Sequence, residues 1–424
     1  MKAFSFLGRG QLHETTYVYQ EQTCRTRFFP EAVVQFFKPD TLILLATARA
    51  AQEPVLTEDA TGRLTVLQNQ LGERTRLVHV PIPEGENEGQ LWDIFNIVVE
   101  HIRDSDRLIF DITHGFRSLP FLTFLALAYV RKVHQNVEIE RVVYGAFDAV
   151  ERDNPQKPVF DLTPFVGLLD WMGAVSTLQQ SGDARPIAGL LKAAQDEPRR
   201  LGLPGQLPTQ LTTASRALQN LSEALLTNRT LDAQVAAAQL PRRLFAATDD
   251  VIHWAQPFQS LMSQIETDYT GFALENPSNP LNDRESHIRQ HKQIGWYVKN
   301  QQYLQAVTLM REWLISWTCL QLKLDWLKGD DRDKVEAQLG NWGSVKHKDS
   351  PFRNLIEVRL EHGEMCIDLW QRVSGLRNDL AHCGMPTGKE NLRKQSDKRK
   401  ASSAIRQVHE AMDALNALVK ASLT

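Results

Sequence analysis

The feature that most constrains the fold is a change of pattern along the chain, because strands alternate with helices at first and only helices follow. Short apolar runs bounded by Gly, Pro, Asp or other polar residues predict buried strands at Ala3–Leu7, Leu42–Ala46, Leu77–Val80, Leu108–Ile112 and Val142–Ala146. Helical spacing of apolar residues between them predicts helices at Glu31–Phe37, Glu88–Ile102 and Leu119–Val133. This alternation predicts an α/β domain with a parallel, doubly wound sheet.

The second half of the chain has no such alternation. Its first segment is rich in helix breakers, namely Gly182, Pro186, Pro198, Gly202, Pro204, Gly205 and Pro208, which predict a linker around one short helix. Helical spacing then recurs from Leu211, from Leu304 to Trp326, and over Phe352–Leu369 and Ser402–Leu418. We therefore expect an α/β domain over 1–170, a linker over 171–208 and an all-helical domain over 209–424.

Composition excludes several classes of protein. The 424 residues are 42% hydrophobic and 23% charged, which excludes a disordered chain. The net charge of -3 means that a polyanionic partner would have to meet a local basic patch. The apolar runs are too short for a membrane span, and the N-terminus has no signal-peptide pattern. Four scattered cysteines favour a cytoplasmic protein without disulfides or a zinc site.

The first candidate site is the turn Gly8-Arg9-Gly10, which follows the first strand. Glycines at the carboxyl end of a parallel strand let backbone N–H groups approach an anionic ligand. The third position of the dinucleotide-binding pattern falls on His13, so the pattern is incomplete. A tight turn between a strand and a helix remains the alternative interpretation.

The second candidate site is the segment after the strand that ends near Asp111. It offers two hydroxyls, an imidazole, a glycine and a guanidinium, on Thr113, His114, Gly115, Arg117 and Ser118. Ligands of open α/β sheets bind outside the carboxyl ends of strands, and these groups suit phosphates and base edges. The alternative is a capped helix start with a hydrogen-bonded core histidine.

The segment Asp111–Gly115 also resembles the DxTHG signature of a family of CRISPR-associated ribonucleases. The same resemblance extends to Ser5–Gly8, Pro83–Glu88, Tyr144–Phe147 and Asp161–Phe165. It implies a CARF domain over about the first 170 residues, a Rossmann-like sensor that dimerises and binds cyclic oligoadenylate across its two-fold axis. The implied ligand residues are Gly8, Arg9, Gly10, Asn87, Thr113, His114, Gly115, Arg117 and Ser118. Cyclic tetra-adenylate is the expected activator.

A third candidate site lies near the C-terminus, where Arg377 and His382 stand five residues apart with Asn378 after the arginine. One such Arg–His pair is expected by chance in a chain of this composition, so an ordinary helix with a surface histidine is the alternative. In the family that the chain resembles, a CARF domain is commonly followed by a helical HEPN domain whose R-x4-H motif cleaves RNA. The resemblance thus implies a catalytic role for Arg377, Asn378 and His382.

The chemistry of this pair is consistent with metal-independent RNA cleavage. Histidine can move a proton to or from the reacting oxygens near neutral pH. Arginine donors stabilise the charge that develops on phosphorus, and Asn378 would orient the phosphate or the imidazole. Two pairs would meet in a two-fold dimer or higher even oligomer. Attack by the 2′-hydroxyl would leave a 2′,3′-cyclic phosphate, and no cofactor or metal is expected.

Two further groups of residues give weaker signals. Between Gly384 and Glu410, seven Lys and Arg against three Asp and Glu give a net charge of +4, which suits an RNA backbone or simply a solvated helix face. His287 and His291 are four apart but lack nearby cysteines, so a polar helix face is favoured over a metal site.

The sequence thus predicts a cyclic-oligoadenylate-activated endoribonuclease that cleaves single-stranded RNA in type III CRISPR antiviral defence. One alternative is a non-catalytic sensor that signals to a partner protein. Another is a Rossmann-type enzyme that acts on an ordinary nucleotide. Slow cleavage of the ligand by the CARF domain itself also stays open.

Overall fold

The chain forms two compact units, Met1–Asp170 and Trp171–Thr424, in a computed structural model. The structure describes residues 1–9, 12–56, 59–71, 75–113, 119–146, 156–341, 360, 362–383 and 401–423. In this part of the chain, no helix combines the length and the hydropathy that crossing a membrane requires.

The first unit is built on ten strands and six helices in its described part. The strands are β1 Lys2–Phe6, β2 Thr15–Tyr19, β3 Gln22–Thr26, β4 Thr41–Ala46, β5 Pro54–Leu56, β6 Asp59–Gly62, β7 Arg76–Pro81, β8 Arg107–Asp111, β9 Glu138–Gly145 and β10 Gln156–Asp161. The helices are α1 Phe29–Phe37, α2 Ala48–Gln52, α3 Arg63–Leu71, α4 Glu88–Glu100, α5 Leu119–Val133 and α6 Thr163–Val166.

Eight of these strands form one sheet in the order β3-β2-β10-β9-β8-β1-β4-β7. The five consecutive strands from β9 to β7 all run parallel to one another, which confirms the predicted doubly wound class. The chain proceeds from β1 outward to β4 and β7, and then returns to the other side of β1 with β8 and β9. The order therefore reverses between β1 and β8, the point at which ligands of open α/β sheets bind.

Both faces of the sheet are covered, as the apolar strands require. On one face the stacked rings of Phe4 and Phe110, with centroids 4.7 Å apart, pack with Ile94 of α4. On the other face Leu42 packs against Phe29 of α1. The buried apolar area holds the strand ends in fixed positions and so provides a rigid platform for the loops that follow them.

The sequence pattern does not predict the hairpin β2–β3 or strand β10. β3 is an edge strand, and most of its residues are exposed and polar, so it lacks the apolar run of a buried strand. β10 contains Pro158 and also has exposed polar positions. Strands of this kind are stabilised by pairing with neighbours and not by their own hydrophobic pattern.

The second unit is helical in its described part, as predicted. Its helices follow α7 Leu168–Ser181, which crosses the boundary between the units. They are α8 Arg185–Arg200, α9 Leu211–Leu226, α10 Thr230–Ala246, α11 Thr248–Trp254, α12 Gln256–Gln259, α13 Met262–Thr270, α14 Asp283–Lys299, α15 Tyr303–Gln321, α16 Gly329–Asn341, α17 Gly363–Ala381 and α18 Ala401–Leu423.

The structure differs from the expected linker over 171–208. Most of this stretch belongs to α7 and α8, and Leu178, Ile187 and Leu191 are buried in the core of the second unit. Pro186 lies in the first turn of α8, where no backbone donor is needed. Pro198 lies in the last turn. The breakers in the sequence therefore mark the ends of helices inside a domain and not a flexible connection.

Candidate functional site

Two of the predicted ligand loops begin side by side. Phe4 of β1 pairs with Phe110 of β8, so Gly8 and Thr113 follow the carboxyl ends of neighbouring parallel strands. These are the two strands between which the sheet order reverses. The backbone N–H groups beyond such strand ends face the crevice where nucleotides bind in doubly wound folds.

A buried carboxyl group fixes the beginning of the second loop. Asp111 is fully buried and accepts hydrogen bonds from the hydroxyl of Ser5 and from the backbone N–H of Thr113, the latter at 2.8 Å. Burial raises the pKa of Asp111 to about 6, although these hydrogen bonds act in the opposite direction. Asp111 therefore ties β8 to β1 and sets the path of the chain into the loop.

Thr113, predicted to bind the ligand, is itself part of this network. Its hydroxyl oxygen accepts a hydrogen bond of 2.8 Å from the backbone N–H of Gly145, at the end of β9, and the side chain also bonds to Asp111. The Thr113 hydroxyl thus joins two strand ends. It fixes the point at which the following loop begins.

A buried arginine holds the first loop from the other side. The guanidinium of Arg63 donates to the carbonyl oxygen of Gly8 at 2.7 Å and lies 3.4 Å from Glu53. Its side chain is only 4% exposed, so burial lowers its pKa. Sequence reasoning missed Arg63, because it lies 55 residues from Gly8 in a segment without a recognisable motif.

Arg9 belongs to a group of charges at the same edge of the sheet. Its guanidinium lies 3.8 Å from the carboxylate of Glu84, in the loop after β7. The other oxygen of Glu84 is 3.4 Å from the backbone N–H of Arg49, and the Arg49 guanidinium is 3.5 Å from Glu86. Two half-exposed cations and two carboxylates therefore line the carboxyl edge beside Gly8.

Asn87, another predicted ligand residue, caps a helix. Its side-chain oxygen accepts a hydrogen bond from the backbone N–H of Gln90 at 3.0 Å, which satisfies one free donor at the start of α4. The oxygen of its carboxamide is therefore already engaged. The remaining predicted ligand residues, Gly10, His114, Gly115, Arg117 and Ser118, lie outside the described residues.

The predicted catalytic residues lie at the C-terminal end of α17. The guanidinium of Arg377 donates to the side-chain oxygen of Asn378 at 3.2 Å, and the backbone N–H of His382 donates to the Asn378 carbonyl at 2.9 Å. His382 is exposed and follows the last helical residue. One helix end therefore presents an arginine, an amide and an imidazole to solvent.

Most of the predicted basic segment lies outside the described residues, and Arg406 lies exposed on α18.

The histidine pair on α14 does not form the polar helix face that the sequence favours, because only His291 is partly exposed. His287 is fully buried, and its Nδ1 lies 2.7 Å from the carbonyl of Asp283, so Nδ1 carries the proton. Trp326 packs edge-on against its ring, and burial lowers its pKa to about 4. His291 hydrogen-bonds to Asn416 at 2.8 Å. Across the described ranges, no three His, Cys, Asp or Glu side chains are grouped to hold a metal ion.

Two family models match the chain. Residues 2–148 match the CARF domain of the CRISPR system endoribonuclease Csx1. Residues 167–273 match the second domain of the CRISPR-associated protein MJ1674. The first match spans the central parallel sheet and both loops at its switch point. It confirms the resemblance predicted from the segment around Asp111.

Two individual proteins also align with the chain. The CRISPR-associated protein MJ1674 of Methanocaldococcus jannaschii is 29% identical over 119 residues, which are 27% of this chain. The chain matches only 18% of the length of that relative. Among solved structures, Enterococcus italicus Csm6 bound to cyclic hexa-2′-fluoro-hexa-dAMP aligns with 97% of this chain and 93% of its own. The TM-score is 0.45 and the identity is 11%.

Proposed function

We propose that this CRISPR-associated protein, whose N-terminal unit is a CARF domain, senses cyclic oligoadenylate and cleaves single-stranded RNA when that ligand is bound. It would act in the cytoplasm as part of type III CRISPR antiviral defence. Cyclic tetra-adenylate is the proposed activator, and the helical unit is the proposed HEPN-type nuclease. The ligand would favour the active arrangement of the dimer and so shift its population.

The observation that carries the sensor proposal is the meeting of two predicted ligand loops at the switch point of a CARF sheet. Gly8 and Thr113 follow neighbouring strands there, and Arg9 lies at the same edge with its side chain 45% exposed. Backbone N–H groups and a guanidinium are suitable partners for phosphates. The described starts of both loops are anchored by Asp111 and Arg63, so Gly8 and Thr113 need little ordering when a ligand binds.

An exposed apolar stripe on α5 supports a two-fold dimer of this unit. It is formed by residues at four-residue intervals, Phe121, Leu125, Tyr129 and Val133, which are 42% to 66% exposed. Trp92 of α4 extends it through Phe95, whose ring lies 5.6 Å from that of Tyr129. Apolar surface of this extent is typical of a protein interface. In such a dimer, the ligand loops of both copies would contact one symmetric cyclic oligoadenylate.

The proposed chemistry at the end of α17 needs only Arg377, Asn378 and His382. His382 would take the proton of the attacking 2′-hydroxyl or supply one to the leaving 5′-oxygen. Arg377 would stabilise the negative charge on the phosphorane, and Asn378, which already contacts Arg377, would orient it. The O2′–P bond forms as the P–O5′ bond breaks, which leaves a 2′,3′-cyclic phosphate and a 5′-hydroxyl.

The test is a cleavage assay with labelled single-stranded RNA in EDTA. It is run without activator and with cyclic tri-, tetra- or hexa-adenylate, each called a ring below. We expect cyclic tetra-adenylate to give the strongest cleavage, and His382→Ala to lower it by a factor of about 10² or more. His409→Ala, at another exposed histidine of the helical unit, is the matched control. Ring binding without cleavage by the wild type would instead favour the non-catalytic sensor.

A further inference from the structure

The loop after β7 carries a carboxylate in an unusual setting. Glu84 lies between two arginines, with one oxygen 3.4 Å from the Arg49 backbone N–H and the other 3.8 Å from the Arg9 guanidinium. Its side chain is only 18% exposed, whereas that of Glu86, two residues on, is 61% exposed. Glu84 is therefore held in the wall of the sheet edge where the ligand is proposed to bind.

The oxygen of Glu84 that faces Arg9 is buried and accepts no hydrogen bond from any residue that the structure describes. The 3.8 Å separation from Arg9 exceeds the length of a hydrogen bond. A buried acceptor without a donor carries an energetic penalty that a suitable partner removes. This oxygen is thus an unused acceptor beside Arg9.

The charge of the carboxylate restricts what can fill this position. A phosphate would be repelled by Glu84 and attracted by Arg9 and Arg49, so it belongs on the arginine side. A neutral N–H or O–H donor is attracted by the carboxylate and fits next to a phosphate held by Arg9. In a nucleotide ring, the groups of this kind are the exocyclic amine of adenine and the ribose 2′-hydroxyl.

We infer that Glu84 determines the ligand specificity of the sensor. Its carboxylate accepts a hydrogen bond from the adenine amine or the ribose 2′-hydroxyl of the ligand. This inference rests on the proposed function of the N-terminal unit. A ligand with a carbonyl oxygen in place of the amine would place two acceptors together, which is worse than the loss of one bond. Glu84 would then exclude cyclic oligonucleotides that contain inosine. Arg9 would attract the phosphates of every cyclic oligonucleotide equally.

The test uses the full chain and three ligands, cyclic tetra-adenylate, cyclic tetra-inosinate and the 2′-deoxy form of cyclic tetra-adenylate, with affinities from calorimetry. Wild-type protein should prefer cyclic tetra-adenylate over one of the two analogues by about tenfold or more. Glu84→Ala should remove that preference. Loss of the preference over inosinate identifies the amine as the donor, and loss of the preference over the deoxy ring identifies the hydroxyl.

Glu86→Ala is the matched control, because it removes the same charge from the same loop and should keep the preference. Glu84→Gln, which conserves side-chain volume, checks that Glu84→Ala does not act through misfolding, and melting curves of both variants support that check. If Glu84→Ala increased the affinity for all three ligands equally, Glu84 would be only a counter-ion of Arg9. That result would overturn the inference. No binding of any ring by the wild type would contradict the proposed function itself.

Discussion

The two candidate sites differ in how a single chain holds their residues. At the sheet edge, Asp111, Thr113 and Gly8 are fixed by hydrogen bonds from Ser5, Gly145 and Arg63, which come from distant parts of the sequence. At the end of α17, His382 is exposed, and the described contact of Arg377 is with the adjacent Asn378.

This difference indicates two ways of building a site. Of the proposed sensor residues, Gly8 and Thr113 are held in place within one copy, so these two need little ordering when a ligand binds. The proposed catalytic residues have few partners among the residues that the structure describes, and we propose that a second copy of the chain completes their site. Lesions in the two units should therefore have separable effects, and the following experiments measure that separation.

The largest effect on stability is expected from Gly182→Ala. A Cβ at this position would lie 2.1 Å from Trp296 Cζ2, and the residue has a φ of +69°. Overpacking and left-handed backbone strain together should lower the free energy of unfolding of the helical unit by about 4 kcal/mol. Urea denaturation followed by tryptophan fluorescence measures this loss.

Gly189→Ala is the matched control for Gly182→Ala. It lies within α8, and a Cβ there meets nothing within 4 Å, so it should be neutral or slightly stabilising, by up to about 1 kcal/mol. Equal destabilisation by the two substitutions would contradict the packing that the structure assigns to Gly182. Ring binding by the N-terminal unit should survive Gly182→Ala at temperatures where cleavage is lost.

The sequence pattern predicts the elements whose residues are buried on both sides. β1, β4 and β8 are apolar runs deep in the sheet, and the ends of β1 and β8 place Gly8 and Thr113 at neighbouring positions, as the sequence pattern predicts. The pattern fails at α8, because Pro186 and Pro198 disrupt the helical signal although each lies near a helix end that tolerates it.

The parts of the site that sequence alone does not predict depend on long-range contacts. Arg63 reaches Gly8 from a helix of the next crossover, and the position of Glu84 beside Arg9 follows from the order of the strands. Neither contact leaves a periodic signal in the sequence. Conversely, Asp111 and Asn87 belong to motifs that are visible in the sequence, and the structure adds that Asp111 holds the start of the loop and that Asn87 caps α4.

The two units should respond to pH in opposite directions. His287 is neutral in the fold with its pKa lowered to about 4 by burial, so its contribution to stability is present above about pH 6.5 and is lost as the pH falls towards 4. Burial raises the pKa of Asp111 to about 6, so its contribution is complete below about pH 3.8 and is lost as the pH rises through 6. Each effect is of the order of 3 kcal/mol.

Urea unfolding of wild type, His287→Phe and Asp111→Asn at about pH 7.5 and about pH 4.5 separates these contributions. The stability advantage of wild type over His287→Phe should shrink at the lower pH, because the buried imidazole resists protonation. The advantage over Asp111→Asn should grow, because the carboxyl becomes neutral. The same direction of change for both variants would refute the assignment of one buried group to each unit.

Mixing of chains tests whether two copies complete the proposed nuclease site. Wild-type protein is allowed to exchange with a ninefold excess of His382→Ala, and cleavage per wild-type chain is measured at saturating cyclic tetra-adenylate. If a site needs a histidine from each copy, most wild-type chains enter inactive mixed dimers, and the rate per wild-type chain falls about tenfold. An unchanged rate per chain would mean that one copy suffices. Ring affinity should be constant throughout, because the variant leaves the sensor intact.

The smallest effect is expected from Thr113→Val, which acts on the sensor alone. The substitution keeps the shape of the side chain but removes the oxygen that accepts the Gly145 N–H and bonds to Asp111. The loop after β8 then loses its link to β9, and we expect the affinity for cyclic tetra-adenylate to fall about tenfold or less. The rate of RNA cleavage at a saturating concentration of cyclic tetra-adenylate should be unchanged, because the variant does not touch α17.

Thr177→Val is the control, since it removes a single hydroxyl hydrogen bond of 3.0 Å to the Gly173 carbonyl in the other unit. A fall in saturated cleavage without a change in ring affinity would show that Thr113 transmits the signal and does not position the ligand.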